Sequence, residues 1–168
     1  AIQQIRLGDR LRVTLDISDK VQDNLLFPPM LLQPLIENAI VHGIEARHDR
    51  VAHGKNEVGE LLIEIRQEGN EVVIHFTDDG QGLNLDRIRE KAKNVGLLTD
   101  ESFVNESDVV NLIFEPGFSP ANVVTELAGR GVGMDVVRSD ASSLGGRVSA
   151  TTVEGKGAHF TIHLPLTL

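Results

Sequence analysis

The 168-residue sequence predicts an α+β fold, a two-layer α/β sandwich whose mixed, mostly antiparallel sheet is covered by helices on one face. Three observations lead there. Leu11, Val13, Leu15 and Ile17 alternate with Arg12, Thr14, Asp16 and Ser18, which is the period of a half-buried strand. Two further pairs of strand-like runs are joined by short glycine turns, Glu60–Gln67 to Val72–Thr77 across Glu68-Gly69-Asn70-Glu71 and Arg147–Thr152 to His159–Leu166 across Gly155-Lys156-Gly157. Helical stretches separate the strand pairs, without the regular βαβ alternation that builds a parallel sheet.

The remaining elements follow in order. Residues 1–9 are short and amphipathic and are expected to be the remnant of a preceding helix. Pro28-Pro29 marks the next start, after which Leu32, Leu35, Ile36, Ala39 and Ile40 form one apolar stripe at helical spacing. From Gly43 to Gly59 the chain is polar and loop-like, with room for one helical turn. Leu85–Val95 is a helix with Asn84 or Asp86 near its start, and Asp108–Glu115 is a short one. Pro116 to Gly133 is rich in Gly and Pro without a period, and is expected to be a mobile loop. Met134–Leu144 is helical and stops at Gly145-Gly146.

Composition narrows the function. Hydrophobic residues make up 40% and charged residues 24%, the balance of a globular domain, and a chain of this length buries roughly 70% of its unfolded surface. One domain over 1–168 is the simplest reading. There is no apolar run of membrane-spanning length, and Ala1-Ile2-Gln3 does not open a signal peptide, so a cytoplasmic location is expected. The absence of Cys excludes disulfides and thiol chemistry. A net charge of −9, with 16 Lys and Arg against 25 Asp and Glu, argues against a nucleic-acid or anionic-membrane surface. It leaves open a small anionic ligand held by backbone N–H groups and a metal ion.

Three glycine clusters stand out: Asp78-Asp79-Gly80-Gln81-Gly82, Gly129-Arg130-Gly131-Val132-Gly133-Met134 and Gly155-Lys156-Gly157. Each taken alone is as readily a plain turn as a ligand loop. The second has no strand before it and the wrong spacing for a dinucleotide fold; no Gly-Lys-Ser/Thr of a Walker loop is present, and Asp78-Asp79-Gly80 lacks the alternating oxygens of a calcium loop. His48 and His53 have no metal-ligand spacing.

The order of features is more specific than any one of them. A helix bearing Asn38-Ala39-Ile40-Val41-His42-Gly43-Ile44-Glu45 precedes a strand ending in Asp78-Asp79-Gly80-Gln81-Gly82-Leu83. Then come Phe114-Glu115-Pro116-Gly117-Phe118-Ser119, a run from Gly129 to Arg138, and Phe160-Thr161-Ile162-His163-Leu164-Pro165-Leu166. This order resembles the ATP-binding Bergerat, or GHKL, fold of histidine kinases, gyrase-type ATPases, Hsp90-like ATPases and mismatch-repair ATPases. From about residue 38 onward the chain looks like the CheA-type histidine kinases of chemotaxis. The earlier stretches Leu7-Gly8-Asp9-Arg10-Leu11 and Pro28-Pro29-Met30-Leu31-Leu32-Gln33-Pro34-Leu35-Ile36-Glu37-Asn38 are similar to LytS-type sensor kinases instead. A natural hybrid and a fusion of homologous fragments would both produce such a seam.

The resemblance implies ATP and Mg²⁺ as cofactors and a set of site residues. Asn38 matches the amide that ligates Mg²⁺, Asp78 the carboxylate that accepts from the adenine amino group, and Gly80 and Gly82 the turn that the base approaches. Arg130, Gly131, Val132, Gly133 and Met134 match the phosphate-binding run, which closes a lid over 116–133 and opens the helix after it. Lys91 and Arg87 match cations that reach the phosphates, with a solvated helix face as the alternative for Arg87, and His42, one turn after Asn38, either contacts phosphate or caps the helix. The same resemblance implies a substrate-His domain and a dimerisation domain of a parent kinase as partners, with a response regulator downstream. No substrate-His helix is recognisable in this sequence, so nucleotide binding is expected with little self-phosphorylation.

Two positions depart from the pattern. Pro34 stands four residues before Asn38, where CheA-type helices carry His and gyrase-type ATPases carry the Glu that activates water. Glu37 lies about 100° around the helix from Asn38 and does not replace it. Pro34 is also expected near the helix start, where its missing N–H leaves no bond broken. Ala158 stands where the family usually has Thr or Ser bonding toward the adenine-reading carboxylate, a loss of about 1 kcal/mol for one hydrogen bond. The alternative reading is therefore a non-catalytic scaffold of the same fold.

Overall fold

The computed structural model describes residues 2–21, 29–40, 44–100, 104–118 and 133–166. Its sheet has six strands: β1 (Ile2–Leu7), β2 (Leu11–Ile17), β3 (Gly59–Glu68), β4 (Glu71–Asp78), β5 (Arg147–Val153) and β6 (Gly157–Pro165). Their spatial order is β1-β2-β3-β4-β6-β5. Among the described strands, only the β2–β3 pair is parallel. The crossover between those two strands carries α1 (Pro29–Asn38) and α2 (Arg47–Ala52). The other helices are α3 (Leu85–Asn94), α4 (Glu106–Asn111), which tightens into a 3₁₀ turn over Leu112–Phe114, and α5 (Met134–Ser143).

The period of two in the strands sets which face is covered. In register across β3, β4 and β6, Ile63 lies opposite Phe76 and Phe76 opposite Phe160, while Ile65 lies opposite Ile74 and Ile74 opposite Ile162. All of these are buried, together with Leu31 and Leu35 of α1, Val109 of α4 and Val137 and Ala141 of α5. Phe114 meets Phe160 edge-on at 6.2 Å between centroids. Each Val, Leu, Ile or Phe among them contributes about 1.5–3 kcal/mol on full burial. The opposite face is polar and carries Arg66–Asp16, Arg66–Glu64 and Arg12–Glu60 ion pairs and the His75–His159 contact at 2.9 Å. This is the two-layer arrangement expected from the sequence.

Three expectations need correction. Residues 1–9 are no helix remnant: Ile2–Leu7 is an edge strand that pairs antiparallel with β2, because the alternation of β2 offers a ladder that a lone short helix lacks. Pro34 is not at the helix start. It is the sixth of ten residues in α1, and it is buried, so packing outweighs the loss of one backbone bond. Ile40 does not complete the buried stripe and is 37% exposed. There the helix widens, with Ile44 N–H donating to Ala39 O five residues back, so the core face is Leu31, Leu35 and Ala39, flanked by Leu32 and Ile36.

Candidate functional site

Asp78 is the last residue of β4 and shares the covered face with Val72, Ile74 and Phe76. A carboxylate at this point of the pattern sits where the alternation demands an apolar side chain, and only 6% of it is exposed. Its Oδ1 accepts from Gly80 N–H at 2.9 Å and from Ala158 N–H at 3.3 Å. Burial pushes its pKa above the ordinary carboxylate value, and Asp79 adds to the rise, while the two backbone donors and Lys55 oppose it. The Ala158 bond uses the backbone, so the missing Thr or Ser hydroxyl does not leave the carboxylate without support from β6.

The turn after Asp78 is clamped to the β5–β6 hairpin. Leu83 N–H donates to Thr152 Oγ1 at 2.8 Å, Thr152 Oγ1 donates to Gly157 O at 3.2 Å, and Gly155 N–H donates to Gln81 O at 2.8 Å. Gly82 has φ +78, and a Cβ there would stand 2.8 Å from Thr152 Oγ1 and from Val153 O. Gly157, at φ +121, passes so close to Asp78 that a Cβ would overlap the Asp78 carbonyl at 1.9 Å. Glycine at both points is thus a condition for the carboxylate and the two turns to meet.

On the other side, the Asp78 turn rests on a charged network. Arg50 of α2 is fully buried and reaches Asp79 through Nη2–Oδ2 at 2.8 Å and Nη1–O at 3.2 Å. Lys55 Nζ donates to Asp79 O at 2.9 Å, Gly80 O at 2.7 Å and Glu45 Oε2 at 2.9 Å.

The other expected site residues fall in separate places. Asn38 is the last residue of α1, half-buried, and its side chain makes no hydrogen bond among the described residues. Glu37 is engaged by Gln33 Nε2 at 2.9 Å. Gly133 caps the amino end of α5, and Met134, its first residue, packs against the core; α5 in turn packs against α1. Lys91 of α3 lies 4.8 Å over the Phe118 ring, and burial lowers its pKa. Arg87 is exposed on the same helix. His42, Arg130, Gly131 and Val132, and most of the expected lid, lie outside the described residues. No group of three or more His, Asp or Glu able to hold a metal occurs among the described residues, and no helix there is long and apolar enough to cross a membrane.

Residues 28–168 match the family model described as histidine kinase-, DNA gyrase B-, and HSP90-like ATPase. This chain belongs to that family. It is 40% identical over 164 residues to the chemotaxis protein CheA of Bacillus subtilis, covering 96% of this chain and 23% of the relative. It is 36% identical over 168 residues to CheA of Rhizobium meliloti, covering 100% of this chain and 21% of the relative. The likeness to CheA therefore runs through the first 38 residues as well. The chain spans less than a quarter of the length of these two relatives. Among solved structures, the Erythrobacter litoralis EL346 blue-light activated histidine kinase superposes with a TM-score of 0.52 at 16% identity, over 96% of this chain and 36% of that one, a likeness of fold.

Sequence reasoning missed Thr152, Glu45, Arg50 and Lys55. Gly155-Lys156-Gly157 was visible as a cluster, but nothing in it marks contact with Asp78. A buried Arg in a polar stretch gives no pattern signal at all, since arginine is ordinarily a surface residue.

Proposed function

We propose that this chain binds Mg-ATP and presents it for phosphoryl transfer to a histidine on another domain of a two-component or chemotaxis-type kinase. The observation that carries this reading is the buried Asp78 carboxylate, held through Oδ1 at the edge of the helix-covered layer. A carboxylate only accepts, so it favours adenine's 6-amino donor and rejects a 6-oxo acceptor. The clamped Gly82 turn lets a base approach the backbone closely. Asn38 is the protein oxygen for Mg²⁺, a cation that keeps most of its ligands as phosphate and water. Gly133 and Met134 begin a helix whose free N–H groups suit phosphate, with Arg130, Gly131, Val132, His42 and Lys91 as further phosphate-side groups.

The bound nucleotide supplies the phosphoryl group; the chain's part is to bind, orient and neutralise. Pro34 offers no carboxylate to activate water, which favours transfer over gyrase-like hydrolysis. The acceptor histidine and the dimerisation helices belong to other domains of a parent kinase, which acts on a response regulator in the cytoplasm. Calorimetric titration with ADP tests the base-reading role. Asp78→Asn is expected to weaken ADP by at least about ten-fold, the value of one charge-assisted hydrogen bond, with its circular dichroism unchanged. Equal affinity in a folded variant would overturn it. A wild-type chain that binds no ADP would instead favour a scaffold of this fold, the reading that Pro34 motivates.

A further inference from the structure

The segment between α1 and β3 contains the most completely satisfied charge cluster among the described residues. Arg50 makes five polar contacts: Nε to Asn56 O at 2.7 Å, Nη1 to Asp79 O at 3.2 Å and Glu45 Oε1 at 3.4 Å, and Nη2 to Val58 O at 3.4 Å and Asp79 Oδ2 at 2.8 Å. Glu45 takes Arg50 on one oxygen and Lys55 on the other. Asp79 Oδ1 accepts from Glu60 N–H at 2.8 Å, which ties the cluster to β3. Two acids balance two cations, so the cluster is neutral, with Arg50 fully buried and Asp79 at its partly exposed rim.

The placement of the donors decides what the cluster does. Three of its bonds end on the carbonyl oxygens of Asp79 and Gly80, the two residues that follow Asp78. The Asp79 carbonyl belongs to the same peptide as the Gly80 N–H that holds Asp78 Oδ1, and the Gly80 carbonyl belongs to the next peptide. A shift of that peptide therefore shifts the carboxylate. Glu45, the anchor of both cations, follows Ile44, whose N–H bonds back to Ala39 at the end of the Asn38 helix. The cluster thus spans from the end of the Asn38 helix to the Asp78 turn.

We infer that Glu45, Arg50 and Lys55 form a positioning network that fixes the Asp79–Gly80 peptide and thereby sets the base selectivity of the nucleotide site. This rests on the reading of Asp78 as the base-reading group. None of the three touches the ligand; they act through the turn. Lys55 is the most direct member, because its ammonium bridges both carbonyls and Glu45.

The test is a ratio of affinities in this 168-residue chain. ADP and inosine diphosphate differ at position 6, amino in one and oxo in the other. The wild-type chain is expected to favour ADP by about 10- to 100-fold, the range of a hydrogen bond to a charged group. Lys55→Met is expected to bring that ratio to within about three-fold of unity, mainly by weakening ADP, with the nucleotide's Mg²⁺ dependence retained. Glu45→Gln keeps an acceptor for Lys55 but removes the anchoring charge, and is expected to lower the ratio by a smaller factor. It also serves if Lys55→Met does not fold. Val148→Ala, in β5, is the control for plain destabilisation and leaves the ratio unchanged. A wild-type chain without ADP preference would sink the reading of Asp78. A wild type that discriminates, with Asp78→Asn losing discrimination while the folded Lys55 and Glu45 variants keep it, would overturn the network alone. A lowered melting temperature with an unchanged ratio would reduce the cluster to a structural tie and count against it equally.

Discussion

Asp78 is held where the fold would be more stable without its charge. Burial, with Asp79 nearby, raises its folded-state pKa above the ordinary 3.8, despite the two backbone donors on Oδ1 and the charge of Lys55. The folded chain therefore holds this proton to higher pH than the unfolded chain does. The sign follows: the ionised group costs stability, and the cost grows as pH rises from near 3.8 through the folded value, then stays constant. Asp78→Asn keeps an acceptor for Gly80 and Ala158 and removes the charge. It is expected to be more stable than wild type at neutral pH, with the difference shrinking as pH falls toward about 4. Urea denaturation at several pH values checks this, and a pH-independent difference would refute it. Stability set against function at one residue is the pattern expected of a site rather than of a core position.

At the scale of elements, α4 has two jobs. Its N-cap Asn105 accepts from Asp108 N–H at 2.8 Å, and its other end covers a sheet edge. β5 is the last strand of the sheet, with no neighbour beyond it among the described residues. Asn111 stands in for one: its Oδ1 accepts from Ala150 N–H at 3.0 Å and its Nδ2 donates to Ala150 O at 3.3 Å. Asn111→Leu would leave both backbone groups of a buried residue unpaired. The expected cost is about 1–3 kcal/mol, read from the denaturation midpoint, and a loss below about 0.5 kcal/mol would show that water replaces the side chain. Elements were the most legible part of the sequence. The two hairpins, the helix that begins after Asn84 and the α5 helix that stops at Gly145-Gly146 all follow their turn and cap residues, and Asn84 Oδ1 does accept from Arg87 N–H. The misreadings were Ile2–Leu7, where six residues are too few for either period to decide, and α1, where packing carries Pro34 into the helix interior.

For the whole molecule, ligand and fold are linked, because a ligand that binds only the folded chain stabilises it. At a hundred-fold excess over its dissociation constant, ADP is expected to add about 2.7 kcal/mol and to raise the melting temperature accordingly. The same ADP concentration is expected to give Asp78→Asn a clearly smaller shift, in differential scanning fluorimetry with an added dye, since the chain has no Trp or Tyr. Equal shifts in both proteins would place the nucleotide away from the Asp78 turn.

The sequence by itself determined the layer architecture, most of the strands and helices, and the family to which the chain belongs. Those rest on periodicity, turn glycines and motif order, all of which are local along the chain. Only the tertiary structure decided that Asp78 is gripped by Gly80 and Ala158, residues 2 and 80 positions away, and that Gly157 must be bare for β6 to pass Asp78. It alone decided that Arg50 and Lys55, in a stretch that reads as loop, close on the carbonyls of Asp79 and Gly80. The physical reason is the nature of the contacts. Backbone carbonyls and N–H groups are present at every residue and carry no signature in the sequence, so a site built on them becomes visible only once the strands have brought them together.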